Sequence, residues 1–157
     1  MIQLSRFATI VPTEITVTGP FAFHRYGLVD RGSYEHCDDI AVPVALVAMA
    51  SELTDRSLRV FSARLLRIVP GDYVLAHHDL LHDDHRVEVI LDLSPAAVPG
   101  AEVRYLRRGQ VLFRVPSQPG TASIVERDPA TVCHHTYVSK LHVGANVVRL
   151  VVQLQDT

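Results

Sequence analysis

Gly71-Asp72-Tyr73-Val74-Leu75-Ala76-His77-His78-Asp79 is the stretch on which the reading of the whole chain turns. Pro70-Gly71 opens it as a turn, and an apolar run follows that ends in a His-x-Asp pair. Side chains at i and i+2 of a strand face one side. His77 and Asp79 are therefore expected to point together, with Tyr73 and Leu75, while His78 points away. An aspartate held inward beside a histidine is costly unless it is paired or bound to a cation, so the pair reads as half of a metal site.

On both sides of this stretch the chain reads as short strands. They are expected over 7–11, 14–19, 21–26, 58–69, 72–79, 87–93, 102–106, 110–115, 122–127, 131–141 and 146–155. Pro70-Gly71, Ser94-Pro95, Pro99-Gly100, Arg108-Gly109, Pro119-Gly120, Asp128-Pro129 and Gly144 separate them. One helix stands out, over 43–54. Pro43 suits a first helical turn, and Leu46, Met49, Ala50 and Leu53 recur at three- and four-residue spacing. The expected architecture is mainly β, a two-sheet antiparallel jelly roll with one or two supporting helices and no repeat or linker. The 157 residues form one domain, 1–157, long enough to bury a real core.

Composition narrows the function classes. A formal charge of -2 gives no electrostatic reason to expect nucleic acid or an anionic membrane as partner. No apolar run approaches the roughly 18 residues of a membrane span, and the first residues lack the pattern of a signal peptide. Cys37 and Cys133 are too few and too far apart for a disulfide framework, which fits a reduced, cytoplasmic protein. Lys140 is the single lysine among abundant Arg, Ala and Val, a bias that suggests a bacterial source.

A second histidine pair, His134-His135, lies far downstream of His77 and Asp79. Two imidazoles and one carboxylate on a rigid barrel make a facial triad with open positions, the arrangement of non-haem Fe(II) oxygenases. His135 is the preferred distal ligand, because inward parity then brings Tyr137, Ser139 and Leu141 with it. His134 is the alternative, and it would bring Lys140 inward. His142 is a third choice. His82-Asp83-Asp84 is a competing copy of the His-x-Asp pattern without a strand before it, and Cys133 is a conceivable thiol ligand. Arg149 sits inside the apolar segment Val147–Leu154, where an arginine needs an anionic partner if buried. Its fork suits a carboxylate, but Leu150, Val152 and Leu154 occupy the opposite face, so parity does not decide whether it lines a cavity. His24, Arg25, Tyr26, Tyr34 and His36 form a polar-aromatic cluster that reads as a solvated turn or a substrate contact.

Taken in order, Gly71-Asp72-Tyr73, His77-x-Asp79, Arg86 before an apolar strand, Pro119-Gly120-Thr121, His135 and Gly144…Arg149 resemble the iron(II)/2-oxoglutarate-dependent dioxygenases. Their prolyl-hydroxylase-like branch is the most similar. The resemblance covers roughly residues 58–155 and implies a double-stranded β-helix of the cupin-like jelly-roll class. It implies Fe(II) held by His77, Asp79 and His135, and 2-oxoglutarate held at its 5-carboxylate by Arg149, with Tyr73 bonding the same carboxylate. It further implies hydroxylation of a C–H bond in a small molecule, amino acid or peptidyl substrate, with 2-oxoglutarate and O2 converted to succinate and CO2. His135 and Arg149 stand 14 residues apart, farther than is usual in the family, which leaves Arg104 and Arg114 as other choices for the cosubstrate. A cupin-like metal enzyme that does not use 2-oxoglutarate and a non-catalytic jelly-roll binding module are the competing readings. A homodimer is compatible with all three.

Overall fold

The computed structural model describes residues 6–13, 15–75 and 86–157. Eleven strands and one helix follow in the order β1 (Arg6–Ile10), β2 (His24–Leu28), β3 (Gly32–Cys37), α1 (Val44–Thr54), β4 (Leu58–Ile68), β5 (Tyr73–Val74), β6 (Arg86–Asp92), β7 (Glu102–Arg107), β8 (Gln110–Pro116), β9 (Ala122–Arg127), β10 (Thr131–His135) and β11 (Val147–Asp156). All strand pairings are antiparallel, and the spatial order is β1-β9-β6-β11-β4-β3-β5-β10-β7-β8, with β2 paired to β3. From β4 onward the chain passes back and forth between two groups of strands. β4, β6, β9 and β11 form one, β5, β7, β8 and β10 the other, and β3 bridges them. This winding is the double-stranded β-helix of a jelly roll. Phe7 on β1 stacks on Phe113 of β8 at 5.2 Å, which draws the two ends of the sheet together and nearly closes the barrel.

Strand parity divides the burial. Val87, Val89 and Leu91 of β6, Ala122 and Ile124 of β9, and Leu150, Val152 and Leu154 of β11 face one core cluster with Leu46 and Ala50 of α1. Ile90 and Val125 face the other way, against Val103, Tyr105, Val115 and Cys133 of the second group. The central strands of the first sheet are thus covered on both sides, by the helix on one face and by the second sheet on the other. That double covering places Arg149 in the interior.

The helix begins at Val44, with Pro43 as its cap and Asp55 closing it in the left-handed region at φ 53°. It buries Leu46, Ala50 and Thr54, a narrower stripe than the expected one; Leu53 is exposed. It is the single helix among the described residues, and none of those residues forms a helix long and apolar enough to cross a membrane.

Several expected strands move. Of the strand expected at 14–19, position 14 lies outside the described residues and 15–19 are no strand: Ile15 and Val17, with Phe21 and Phe23, pack on the helix-side core, so their alternation reflects burial and not strand pairing. The strand expected at 21–26 starts instead at His24, and it forms a hairpin with β3, which the sequence reading missed. The expected strand 131–141 ends at His135. Beyond it Val138 exchanges backbone hydrogen bonds with the 71–72 turn, and its side chain is buried while Tyr137 and Leu141 are exposed.

Candidate functional site

β10 presents Thr131, Cys133 and His135 to the interior, and His134 lies half-buried on the other face near Arg104 and Glu102. β11 presents Val147, Arg149, Val151 and Gln153 to the same interior, because Leu150, Val152 and Leu154 are taken by the helix-side core. The two strands bring Arg149 and His135 together, with Arg149 Nη1 3.1 Å from His135 Nδ1. A guanidinium only donates, so Nδ1 accepts and the ring proton sits on Nε2, which lies 3.9 Å from Cys133 Sγ. Burial, and next the Arg149 charge, push the His135 pKa well below its ordinary value, so this imidazole is neutral at physiological pH.

Arg149 is 2% exposed. Its second hydrogen bond goes from Nη2 to the Ala101 carbonyl at 3.2 Å. Both acceptors are neutral, and no carboxylate of the described residues forms an ion pair with it. Asp92, its neighbour in the β11–β6 ladder, spends its oxygens on the backbone N–H groups of Ser94 and Gln118. Burial accordingly lowers the Arg149 pKa, opposed chiefly by Asp92. A buried cation without a counter-ion is costly, and it is the kind of group that a bound anion would satisfy.

Beside this pair the barrel holds a cavity of about 340 Å³, lined among others by Arg64, Leu66, Glu88, Cys133, His135 and Gln153. Its floor is a closed polar network. Glu88 accepts from the Tyr105 hydroxyl at 2.6 Å, from Arg127 Nη1 at 2.6 Å and from Gln153 Nε2 at 3.2 Å, and Gln153 in turn accepts from Ser62 at 3.1 Å. Arg127 also donates to the Thr131 carbonyl at 2.7 Å. Burial, then the Glu88 charge, raise the Tyr105 pKa well above its ordinary value, so the phenol stays protonated as the donor. The sequence reading missed this network. Its signal was present: a charged residue between apolar neighbours inside a strand, Glu88 between Val87 and Val89 in β6 and Arg64 between Ala63 and Leu65 in β4.

The remaining expected residues fall elsewhere. His77 and Asp79 lie outside the described residues, as do the competing His82 and Asp84. Among the described residues, no group of three His, Cys, Asp or Glu could hold a metal ion. Tyr73 was expected on the inner face of its strand. Instead Val74 lines the cavity, and the Tyr73 hydroxyl donates to the Val29 carbonyl at the tip of the β2–β3 hairpin. Arg104 and Arg114 both pair with Glu102, whose side chain, like that of Arg104, lies on the opposite face of β7 from the inward Val103 and Tyr105. The cluster at residues 24–36 is no solvated turn: Tyr26 stacks on the buried Tyr34 at 5.0 Å, and the hairpin forms a wall of the barrel.

No protein-family profile and no curated protein matches the chain. Solved structures do. An oxidoreductase of the 2OG-Fe(II) oxygenase family from Burkholderia pseudomallei superposes with a TM-score of 0.64 at 10% identity, over 86% of this chain and 73% of that one. A Pseudomonas putida prolyl-4-hydroxylase gives a TM-score of 0.61 at 16% identity, over 86% and 77%. The non-haem alpha-ketoglutarate-dependent epimerase SnoN from nogalamycin biosynthesis gives 0.59 at 14% identity, over 86% and 65%. The chain therefore has the fold of these oxygenases.

Proposed function

We propose that the protein is an Fe(II)/2-oxoglutarate-dependent oxygenase that hydroxylates a C–H bond of a small substrate. The observation that carries this reading is Arg149: a buried guanidinium whose acceptors among the described residues are neutral, in contact with a neutral, inward-facing histidine, inside a double-stranded β-helix. The described part of the site fits the group in two respects. His135 is uncharged, as a nitrogen ligand must be. Among the described residues no carboxylate pairs with Arg149, and the cosubstrate would bring one.

His135, with His77 and Asp79, would hold the metal, and Arg149 would hold the 5-carboxylate of 2-oxoglutarate. When bound, the iron and cosubstrate supply the oxygen activation that converts 2-oxoglutarate and O2 to succinate and CO2. The chain's own part is positioning. Arg149 cannot donate to Nδ1 while Nε2 ligates, because a neutral ring whose Nε2 gives its lone pair to a metal carries its proton on Nδ1. Were His135 to ligate through Nε2, its ring proton would sit on Nδ1, and Arg149 would be released from that nitrogen to hold the carboxylate. The Glu88 network fixes the opposite side of the cavity, and Leu66, Val74 and Val151 give it a partly dry wall. Two buried cysteines that form no disulfide, Cys37 and Cys133, fit a reducing compartment such as the cytoplasm.

Anaerobic titration of the purified protein with Fe(II) and then 2-oxoglutarate tests the reading. The expected result is a visible charge-transfer band, followed under air by succinate. Metal uptake without the band would favour a cupin-like metal enzyme that does not use 2-oxoglutarate. No uptake at all would favour a binding module.

A further inference from the structure

The cavity contains a second arginine that the cosubstrate reading does not use. Ser62, Arg64 and Leu66 line the cavity from alternate positions of β4, Arg64 stands opposite Val151 in the β4–β11 ladder, and His135 lines the same cavity. Its placement is held at two points. Nε faces Asp38 Oδ1 at 3.3 Å, and Nη1 reaches the hydroxyl of the buried Tyr34 at 3.4 Å. Asp38 is shared, since the same oxygen is 3.0 Å from His36 Nδ1. Nη2 has no acceptor among the described residues, and the side chain is 46% exposed. Arg64 is thus a guanidinium oriented by its neighbours with donors left for a ligand, whereas Arg149 is enclosed.

The other charges among the described lining residues are already met, Glu88 by Arg127 and Asp38 by His36 and Arg64 itself. The donors of Nη2 are what remains to be matched, and a planar fork matches a carboxylate best. A volume of about 340 Å³ is at the small end for ligand pockets, which run from about 300 to 1,000 Å³. We infer that Arg64 is a specificity-determining residue that binds the free carboxylate of a small acid or amino acid in this cavity. The assignment of that carboxylate to the substrate, rather than to the cosubstrate, rests on the oxygenase reading. It selects free acids over internal residues of a peptide, which have no carboxylate to offer.

The test uses metal-free, ¹⁵N-labelled full-length protein, with isovalerate, its neutral analogue isovaleramide, and 2-oxoglutarate as separate probes. Isovalerate should shift the amide resonances of Cys133, His135 and Val151, and isovaleramide should not. Arg64→Gln should weaken isovalerate at least about tenfold, and Arg64→Lys should retain part of the affinity because the charge persists without the fork. Isovalerate that Arg149→Gln weakens as strongly as Arg64→Gln does is held at Arg149, and that result overturns the inference. Equal isovalerate affinity in wild type and Arg64→Gln, or equal binding of acid and amide, overturns the inference. Loss of 2-oxoglutarate affinity in Arg64→Gln with isovalerate unaffected also overturns it, and makes Arg64 a cosubstrate contact. These titrations contain no metal, so failure of the oxygenase reading, seen as a missing Fe(II)–2-oxoglutarate band, is separate from failure of the Arg64 site.

Discussion

Arg127→Met should be among the most damaging single substitutions outside the apolar core, and its cost can be worked from the cavity floor. Arg127 is fully buried against a Glu88 carboxylate that is itself nearly inaccessible. Removing the guanidinium deletes the 2.6 Å ion pair and the 2.7 Å bond to the Thr131 carbonyl, and it leaves the carboxylate with the Tyr105 hydroxyl and Gln153 alone. Breaking a buried pair from one side typically costs about 3–5 kcal/mol, mostly the penalty of the stranded charge. For a chain of this length that is a fall in Tm of about 6–20 °C. The second arm is Glu88→Gln/Arg127→Met, which removes the stranded charge and keeps an acceptor for Tyr105. It should be at least about 1 kcal/mol more stable than Arg127→Met alone, a coupling that two independent sites would not show. Urea denaturation of metal-free protein at pH 7, with the m-value checked for constancy, reads both. If Arg127→Met stays within about 1 kcal/mol of wild type, or the double variant is simply additive, the pair is screened by water and the floor is not sealed as argued.

Arg149→Ala should weaken 2-oxoglutarate by about 2–5 kcal/mol, roughly 30- to several-thousand-fold, with Fe(II) affinity nearly intact; calorimetric titration of each ligand checks the split. His135→Ala should lose Fe(II) and abolish uncoupled 2-oxoglutarate decarboxylation. His134→Ala should only reduce it, since His134 faces away from the cavity. His135 is held neutral with a depressed pKa, so the unfolded chain takes up its proton first as pH falls below about 6.5. The contribution of His135 to stability is therefore complete above that pH and is lost as pH drops toward the folded-state pKa. Thermal melts of metal-free protein between pH 7.5 and 5 should show a steeper loss in wild type than in His135→Gln; parallel curves would remove His135 from this role.

The sequence alone was sufficient for the class of the fold and for the positions of most strands. Val87-Glu88-Val89, Ile124-Val125 and Val147–Leu154 announce buried strands, and the Gly and Pro punctuation separates them, because these signals are local. It also brought forward Arg149 as an arginine inside an apolar segment, and His135 as one of a histidine pair with His134 as the alternative. Tertiary structure alone decided what they do there. Arg149 and Gln153 share one face of β11, which by itself resembles an ordinary solvent face opposite Leu150, Val152 and Leu154. Both faces are buried, one under α1 and one under the second sheet, and only long-range packing supplies the second cover. The same holds for Arg64, an inward residue only because β4 lies between β11 and β3, and for Tyr73, whose hydroxyl is captured by a hairpin tip 44 residues earlier. Alternation tells which side chains share a face. What covers that face is a property of strands distant in sequence, and no local pattern encodes it.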